Sequence, residues 1–161
     1  THFRTMDEMA FQQGRFKRKG LWQLILDNNG LPATTPPWGG LASVNLNSGA
    51  HNWSVPLCVR STGASLPAID GDINFGGVMT TASGIGFATG TPDSMVRAFN
   101  MADGSLLWKG RLPYAGSAPP MGFNHRGCDM IVVTATGGRF VGFQGNGDST
   151  IAFKLRDCIF Q

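Results

Sequence analysis

The chain has 161 residues, which is enough for one domain with a sizeable core. It contains 23 Gly and 9 Pro, only 14% of its residues are charged, and 42% are hydrophobic. This composition excludes a disordered chain and a bundle of long amphipathic helices, and it favours an all-β protein with many turns. The net charge is +3 and the densest basic run is residues 15–19, which we interpret as a solvated loop and not as a nucleic-acid surface.

The first forty residues show no repeat. Turn signals at residues 28–30 and 36–37 predict an irregular segment over residues 1–40 that leads into a more regular region. The chain has no initiating Met, no signal sequence and no apolar stretch near the ~20 residues of a membrane span. We therefore expect it to begin within a longer polypeptide.

A repeat follows at residues 43–53 and 98–108. Both copies read small, apolar, Asn, apolar, two turn residues, Gly, three residues, Trp. Gly49 and Gly104 are 55 residues apart, as are Trp53 and Trp108, and a truncated third copy starts at Ala152. One copy predicts a β-hairpin whose turn glycine adopts a positive φ and whose second strand carries a tryptophan that packs on the neighbouring unit.

A repeat of this length indicates the blades of a β-propeller. We predict an all-β fold, a partial β-propeller with two to three four-stranded blades over residues 41–156, followed by a tail at residues 157–161. Further strands are predicted at residues 84–88 and 130–134, the second of which is β-branched and continuous.

The three cysteines, Cys58, Cys128 and Cys158, are far apart in sequence and have no metal-ligand spacing. We interpret each as a small buried residue, and an odd count would leave one thiol free or paired with a region outside the chain. His51 and His125 lie in a hairpin and a polar turn without a nucleophile pattern nearby.

Ordered segments beyond the repeat resemble one family, the quinoprotein alcohol and sugar dehydrogenases in their membrane-bound glucose dehydrogenase branch. They are Gly-Leu-Pro with Pro-Pro-Trp-Gly at 30–39, Asn-Phe-Gly-Gly with Thr-Ala-Ser-Gly at 74–84, the Arg-Ala-Phe segment at 91–99, Trp to Leu-Pro at 108–113, and Gly-Gly with Gly-Asp and Ala-Phe at 137–153. The similarity covers about residues 30–156.

This resemblance implies an eight-bladed propeller that holds pyrroloquinoline quinone (PQQ) and a divalent metal, Ca²⁺ or Mg²⁺. It also implies oxidation of an alcohol or a sugar in the periplasm, electron transfer to ubiquinone or a cytochrome, and a membrane anchor in a missing N-terminal region. In the family, the catalytic base and most metal ligands lie in earlier blades. We therefore expect no catalytic and no metal-binding residue in this chain, and no activity from the chain alone.

The resemblance implies cofactor-binding roles for Asp93, Gly137, Gly138 and Arg139. Asp93 either supports the metal–cofactor assembly or caps a turn. Arg139 either pairs with a PQQ carboxylate or points to solvent, and because relatives often carry His or Gly there, it puts ordinary sugar specificity in question. Trp53, Trp108, Gly49 and Gly104 are assigned structural roles.

Two other readings stay open from the sequence. One is a non-catalytic propeller scaffold of the kind that assists outer-membrane protein assembly, which would share the tryptophan repeat. The other is a degenerate homologue that keeps the fold without PQQ, for which Arg139 is the main support.

Overall fold

The computed structural model describes residues 4–5, 10–12, 15–17, 21–22, 25–61, 67–138, 145–155 and 158. Within these residues the protein is all-β. The strands are β1 (Arg4–Thr5), β2 (Ala10–Gln12), β3 (Arg15–Lys17), β4 (Leu21–Trp22), β5 (Gly40–Val44), β6 (His51–Pro56), β7 (Val59–Arg60), β8 (Ile69–Asp70), β9 (Val78–Thr80), β10 (Ile85–Ala88), β11 (Met95–Asn100), β12 (Leu106–Arg111), β13 (Met121–His125), β14 (Cys128–Gly137) and β15 (Asn146–Lys154).

Three antiparallel sheets contain the predicted repeats. The strands β9 to β12 form a four-stranded meander, β5 pairs with β6, and β13, β14 and β15 form a three-stranded meander. By strand order, β15 corresponds to β11, so the third sheet holds the first three strands of a blade. The chain thus contains one four-stranded blade flanked by two partial ones, which confirms the predicted partial β-propeller.

The two full copies of the repeat form equivalent hairpins. Ser43 pairs with Trp53 in one and Ala98 with Trp108 in the other, and each pair is followed by a register shift at the next residue. The turn glycines, Gly49 and Gly104, have φ values of 72° and 76°. The 55-residue repeat therefore extends to the register of the strands and to the backbone of the turns.

Two apolar clusters join consecutive sheets. One contains Leu41, Leu57, Ala88 and Phe99, with Trp53 and Val55 packed against it, and joins β5–β6 to the four-stranded sheet. The other contains Val96, Leu112, Ile131, Val133 and Ala135 and joins the four-stranded sheet to β13–β15. Since each sheet buries its faces against its neighbours, the core is a series of layers between blades.

The two repeat tryptophans differ in their surroundings. Trp53 is half-buried, and its indole Nε1 donates a hydrogen bond to the carbonyl oxygen of Met101 in the next copy of the repeat. Trp108 contacts Phe153 of the third sheet edge-on, with ring centroids 5.3 Å apart, and remains 41% exposed.

Cys58 and Cys128 are buried, as the sequence predicted, and Cys58 is a free thiol. Cys128 differs from the prediction of a simple buried residue, because it forms a disulfide with Cys158. Cys128 is the first residue of β14, whereas Cys158 lies four residues beyond the end of β15, and their Cα atoms are 5.7 Å apart. A disulfide between residues 30 positions apart, one of which lies outside the strands, has no spacing signature in the sequence.

The basic run was also not entirely a loop, since residues 15–17 form β3 and pair with β2. Among the described residues, no helix has the length and apolar character needed to cross a membrane.

Candidate functional site

A cleft of about 430 Å³ opens between the segment that enters β9 and the end of β14. Its lining combines two glycine pairs, one from the segment before β9 and one from the end of β14. The lining residues are Asn74, Phe75, Gly76, Gly77, Ser117, Pro119, Gly137 and Gly138. Two segments that carry the family resemblance, residues 74–77 and 137–138, therefore meet at one place.

The first wall is built by close backbone approach. The N–H of Phe75 donates to the carbonyl oxygen of Gly90 at 2.7 Å, which brings Gly76 against the backbone of residues 89–90. A Cβ on Gly76 would collide with the carbonyl oxygen of Thr89, and a Cβ on Gly77 would collide with the ring of Pro119. Glycine is required at both positions for steric reasons.

The second wall is the end of β14. The N–H of Gly137 donates to the carbonyl oxygen of Ala115 at 2.9 Å, and that of Gly138 to Gly145 at 3.1 Å. Gly138 has no other atom within 4 Å of the position of a Cβ, so this side of the backbone is open. Arg139, the last of the four residues predicted to bind the cofactor, lies outside the described residues.

The cleft offers hydrogen-bonding groups without charge. Its polar side chains among the described residues are the amide of Asn74 and the hydroxyl of Ser117, and none of the described lining residues is charged. The volume lies in the range of small-molecule sites, roughly 300–1,000 Å³. The glycine walls fit the face of a planar ring or a hydroxyl-rich molecule, while the carboxylates of PQQ would need cations from elsewhere.

Asp93 lies outside this cleft lining, in the turn that precedes β11. Its carboxylate forms an ion pair with Arg97 and accepts a hydrogen bond from the hydroxyl of Thr91. Burial by itself would raise the pKa of Asp93, but the hydrogen bonds from Arg97 and Thr91 and the positive charge of Arg97 outweigh it and leave the pKa below its ordinary value. Asp93 is therefore held ionised, and its role toward a cofactor stays a prediction.

A second ion pair lies upstream of the cleft. Nε of Arg60 donates to Oδ1 of Asp72 at 2.8 Å, and the guanidinium carbon of Arg60 is 5.6 Å from the ring centroid of Trp38. The buried thiol of Cys58 lies near both ion pairs. Burial, followed by the charge of Asp93, raises the pKa of Cys58 to about 11, so the thiol is protonated and unreactive at neutral pH.

Within the described part of the chain, no group of three or more His, Cys, Asp or Glu side chains could hold a metal ion. Asp72 forms an ion pair with Arg60, and Asp93 forms one with Arg97.

A match to a known family agrees with this architecture. The chain belongs to the family described as "PQQ: Glucose/ethanol/alcohol dehydrogenase, beta-propeller domain", whose model matches residues 3–131. This membership confirms the resemblance to quinoprotein dehydrogenases inferred from the ordered motifs.

Individual relatives are named as dehydrogenases of quinate or of glucose. The chain is 36% identical over 136 residues to the probable quinate dehydrogenase (quinone) of Xanthomonas campestris pv. juglandis. It is 31% identical to the quinoprotein glucose dehydrogenase of Escherichia coli K12, and 35% identical to quinoprotein glucose dehydrogenase A of Acinetobacter calcoaceticus. Each match covers 80% of this chain, but only 16–17% of the relative's length.

Sequence reasoning missed two parts of this site. It did not assign Asn74, Ser117 or Pro119 to a cleft, because nothing in the sequence indicates that segments from consecutive sheets meet. It also missed the Arg60–Asp72 pair. A usable signal was the density of glycines at residues 76–77 and 137–138, which marks close backbone approach in both strand-flanking segments.

Proposed function

We propose that the protein to which this chain belongs is a PQQ-dependent oxidoreductase that oxidises a polyhydroxylated alcohol or sugar. Family membership carries the proposal, and the convergence of residues 74–77 and 137–138 on one cleft supports it. Relatives of the chain include proteins named as dehydrogenases of quinate, glucose and glycerol. These substrates share several hydroxyl groups, which suits a cleft lined by the amide of Asn74 and the hydroxyl of Ser117.

PQQ, when bound, would accept the electrons of the alcohol and pass them to a quinone or a cytochrome. In this proposal the chain's own residues bind and orient. The glycine walls let backbone groups approach a planar ring, and Asn74 and Ser117 hydrogen-bond uncharged oxygen atoms. Arg139, next to Gly138 in sequence, is the residue that we propose for a PQQ carboxylate. A divalent metal and a catalytic base would come from other parts of the protein.

A periplasmic location is part of the proposal. The Cys128–Cys158 disulfide supports it, because structural disulfides form and persist mainly in oxidising compartments. The chain alone is proposed to be inactive, since its described residues include neither a metal cluster nor a charged cleft lining.

The test uses the intact parent protein, purified from the complete gene and freed of PQQ. Dye reduction is measured with quinate, glucose and glycerol, with and without added PQQ and Mg²⁺ or Ca²⁺. The proposal expects activity that depends on PQQ in the parent and none in residues 1–161. Absence of PQQ-dependent activity in a parent that nevertheless folds would favour the non-catalytic scaffold or the degenerate homologue.

A further inference from the structure

The Arg60–Asp72 ion pair lies at the start of the segment that forms one wall of the cleft. The side chain of Asp72 is 7% exposed, and its Oδ1 accepts hydrogen bonds from Nε of Arg60 and from the N–H of Ile73, both at 2.8 Å. One buried carboxylate oxygen thus holds both a guanidinium group and the backbone immediately before Asn74, the first residue of the cleft. Hydrogen bonds to a charged acceptor are among the stronger ones in proteins.

Trp38 contacts both Gly71, the residue before Asp72, and Arg60, the partner of Asp72. Its indole Nε1 donates to the carbonyl oxygen of Thr34 at 2.7 Å, and its backbone N–H donates to the carbonyl oxygen of Gly71 at 2.7 Å. Its ring lies under the guanidinium of Arg60. Trp38 therefore contacts both the residue before Asp72 and the partner of Asp72, which limits the positions open to either.

Past Asp72, the segment leads from the end of β8 to the start of β9 in the four-stranded sheet. The side-chain oxygen of Asn74 lies against Gly39, where a Cβ would be only 2.5 Å from it, and the N–H of Phe75 bonds to Gly90. The cleft wall is thus fixed by one anchor on each side. The upstream anchor is the charged one, and it lies outside the cleft lining.

We infer that the Arg60–Asp72 pair, braced by Trp38, is a positioning element of the cleft wall at residues 74–77 and sets how tightly the cleft holds its ligand. This inference rests on the proposed function, so the probe is PQQ itself. Without the guanidinium, Asp72 is left buried with an unpaired charge, and the backbone at Ile73 and Asn74 shifts to solvate it. Groups that orient a binding wall in this way control affinity without touching the ligand.

The experiment measures PQQ binding by equilibrium dialysis to the intact, PQQ-free parent protein with Mg²⁺ or Ca²⁺ present. Arg60→Met should weaken PQQ binding by about tenfold or more. The stability control is Leu41→Ala, which opens a cavity in the apolar cluster between β5–β6 and the four-stranded sheet. This variant should have a lower melting temperature, while its PQQ affinity should stay within about twofold of that of wild type. The charge control is Arg111→Met, on the exposed side of β12, which should bind as wild type does.

Each result decides the inference. Unchanged PQQ affinity in Arg60→Met would overturn it, and so would an equal loss in Leu41→Ala, since affinity would then follow stability alone. If Arg60→Met does not fold, Asp72→Asn replaces it, because the amide keeps the size and the acceptor for Ile73 and removes the charge; unchanged affinity there would also overturn the inference. A wild-type parent that folds but binds no PQQ would refute the proposed function, and this inference with it.

Discussion

The indole Nε1 of Trp53 donates a hydrogen bond to the carbonyl oxygen of Met101 at 3.1 Å, and its ring lies on Gly104, so the tryptophan of one repeat rests on the turn of the next. The contact links two sheets through a polar bond and an aromatic face at once. Because it joins residues in separate hairpins, it couples the stability of neighbouring blades.

Truncating Trp53 should therefore cost more stability than truncating Trp108. In residues 1–161, to which the two exposures apply, Trp53→Ala should lower the unfolding free energy by about 3 kcal/mol, since it leaves a cavity and an unpaired carbonyl at Met101. Trp108→Ala should lose about half as much, because its side chain is 41% exposed. Denaturant titration of both variants measures the difference. Equal losses would mean that exposure is not what distinguishes the two positions.

The turn glycines provide a matched pair. Gly49 and Gly104 have nearly the same positive φ, but a Cβ on Gly104 would lie 2.7 Å from Cε3 of Trp53, whereas one on Gly49 would meet nothing within 4 Å. Gly49→Ala should cost about 1 kcal/mol from backbone strain alone. Gly104→Ala should cost about 2–4 kcal/mol, because it adds a collision with the indole. The unfolding midpoint of Gly104→Ala should therefore be lower than that of Gly49→Ala. Equal midpoints would show that the indole of Trp53 moves away from the added methyl group without loss of stability.

The Cys128–Cys158 disulfide should stabilise the end of the third sheet. A cross-link across 30 residues is worth about 3–4 kcal/mol in the chain-entropy account. Cys158→Ser, or wild type in dithiothreitol, should therefore melt at a lower temperature, and the reductant should have no further effect on the variant. Cys58→Ala serves as the control, since its thiol is free and the variant should keep the response to reductant. A wild-type melting curve indifferent to reductant would contradict this prediction.

The sequence predicted the fold where structure is local and repeated. The spacing of Gly49, Trp53 and their counterparts was enough to predict hairpins, turn glycines and a tryptophan that meets the next unit. It did not predict that Trp108 would be 41% exposed while Trp53 is half-buried, because the two copies of the repeat are alike in sequence up to the tryptophan.

Contacts between segments that are distant in the chain were beyond reach for the same reason. The disulfide joins Cys128 at the start of β14 to Cys158 beyond the end of β15, and the Arg60–Asp72 pair depends on the pairing of β7 with β8. Neither has a spacing rule. The candidate site was predicted only as far as its motifs: Gly137 and Gly138 do line a cleft, while Asp93 lies in the turn before β11 and Arg139 lies outside the described residues.

Asp93 allows a test that separates a structural role from a cofactor role. Its pKa is lowered in the folded protein, so the carboxylate contributes stability that is present above its ordinary pKa of 3.8 and is lost as the pH falls through the lower folded value. In the intact parent, Asp93→Asn should be less stable than wild type at pH 7 by about 1–3 kcal/mol, because Arg97 loses a charged partner. The gap between the two should narrow as the pH drops below 3.8. Denaturant titrations from pH 7 down to about pH 3 measure it, and a gap that does not change with pH would contradict the ion-pair account.

The same variant tests whether Asp93 also supports a metal–PQQ assembly. Wild type and Asp93→Asn are loaded with PQQ and Mg²⁺ or Ca²⁺, and the PQQ that each retains is measured across a series of chelator concentrations at pH 7. If the carboxylate helps to hold the assembly, Asp93→Asn should release PQQ at a lower chelator concentration than wild type. Thr91→Val is the control, because it removes a hydrogen bond to Asp93 and leaves the charge in place. Both carboxylate oxygens of Asp93 contact Arg97. Identical chelator curves for wild type and Asp93→Asn would therefore mean that Asp93 serves only in this ion pair and does not support the cofactor.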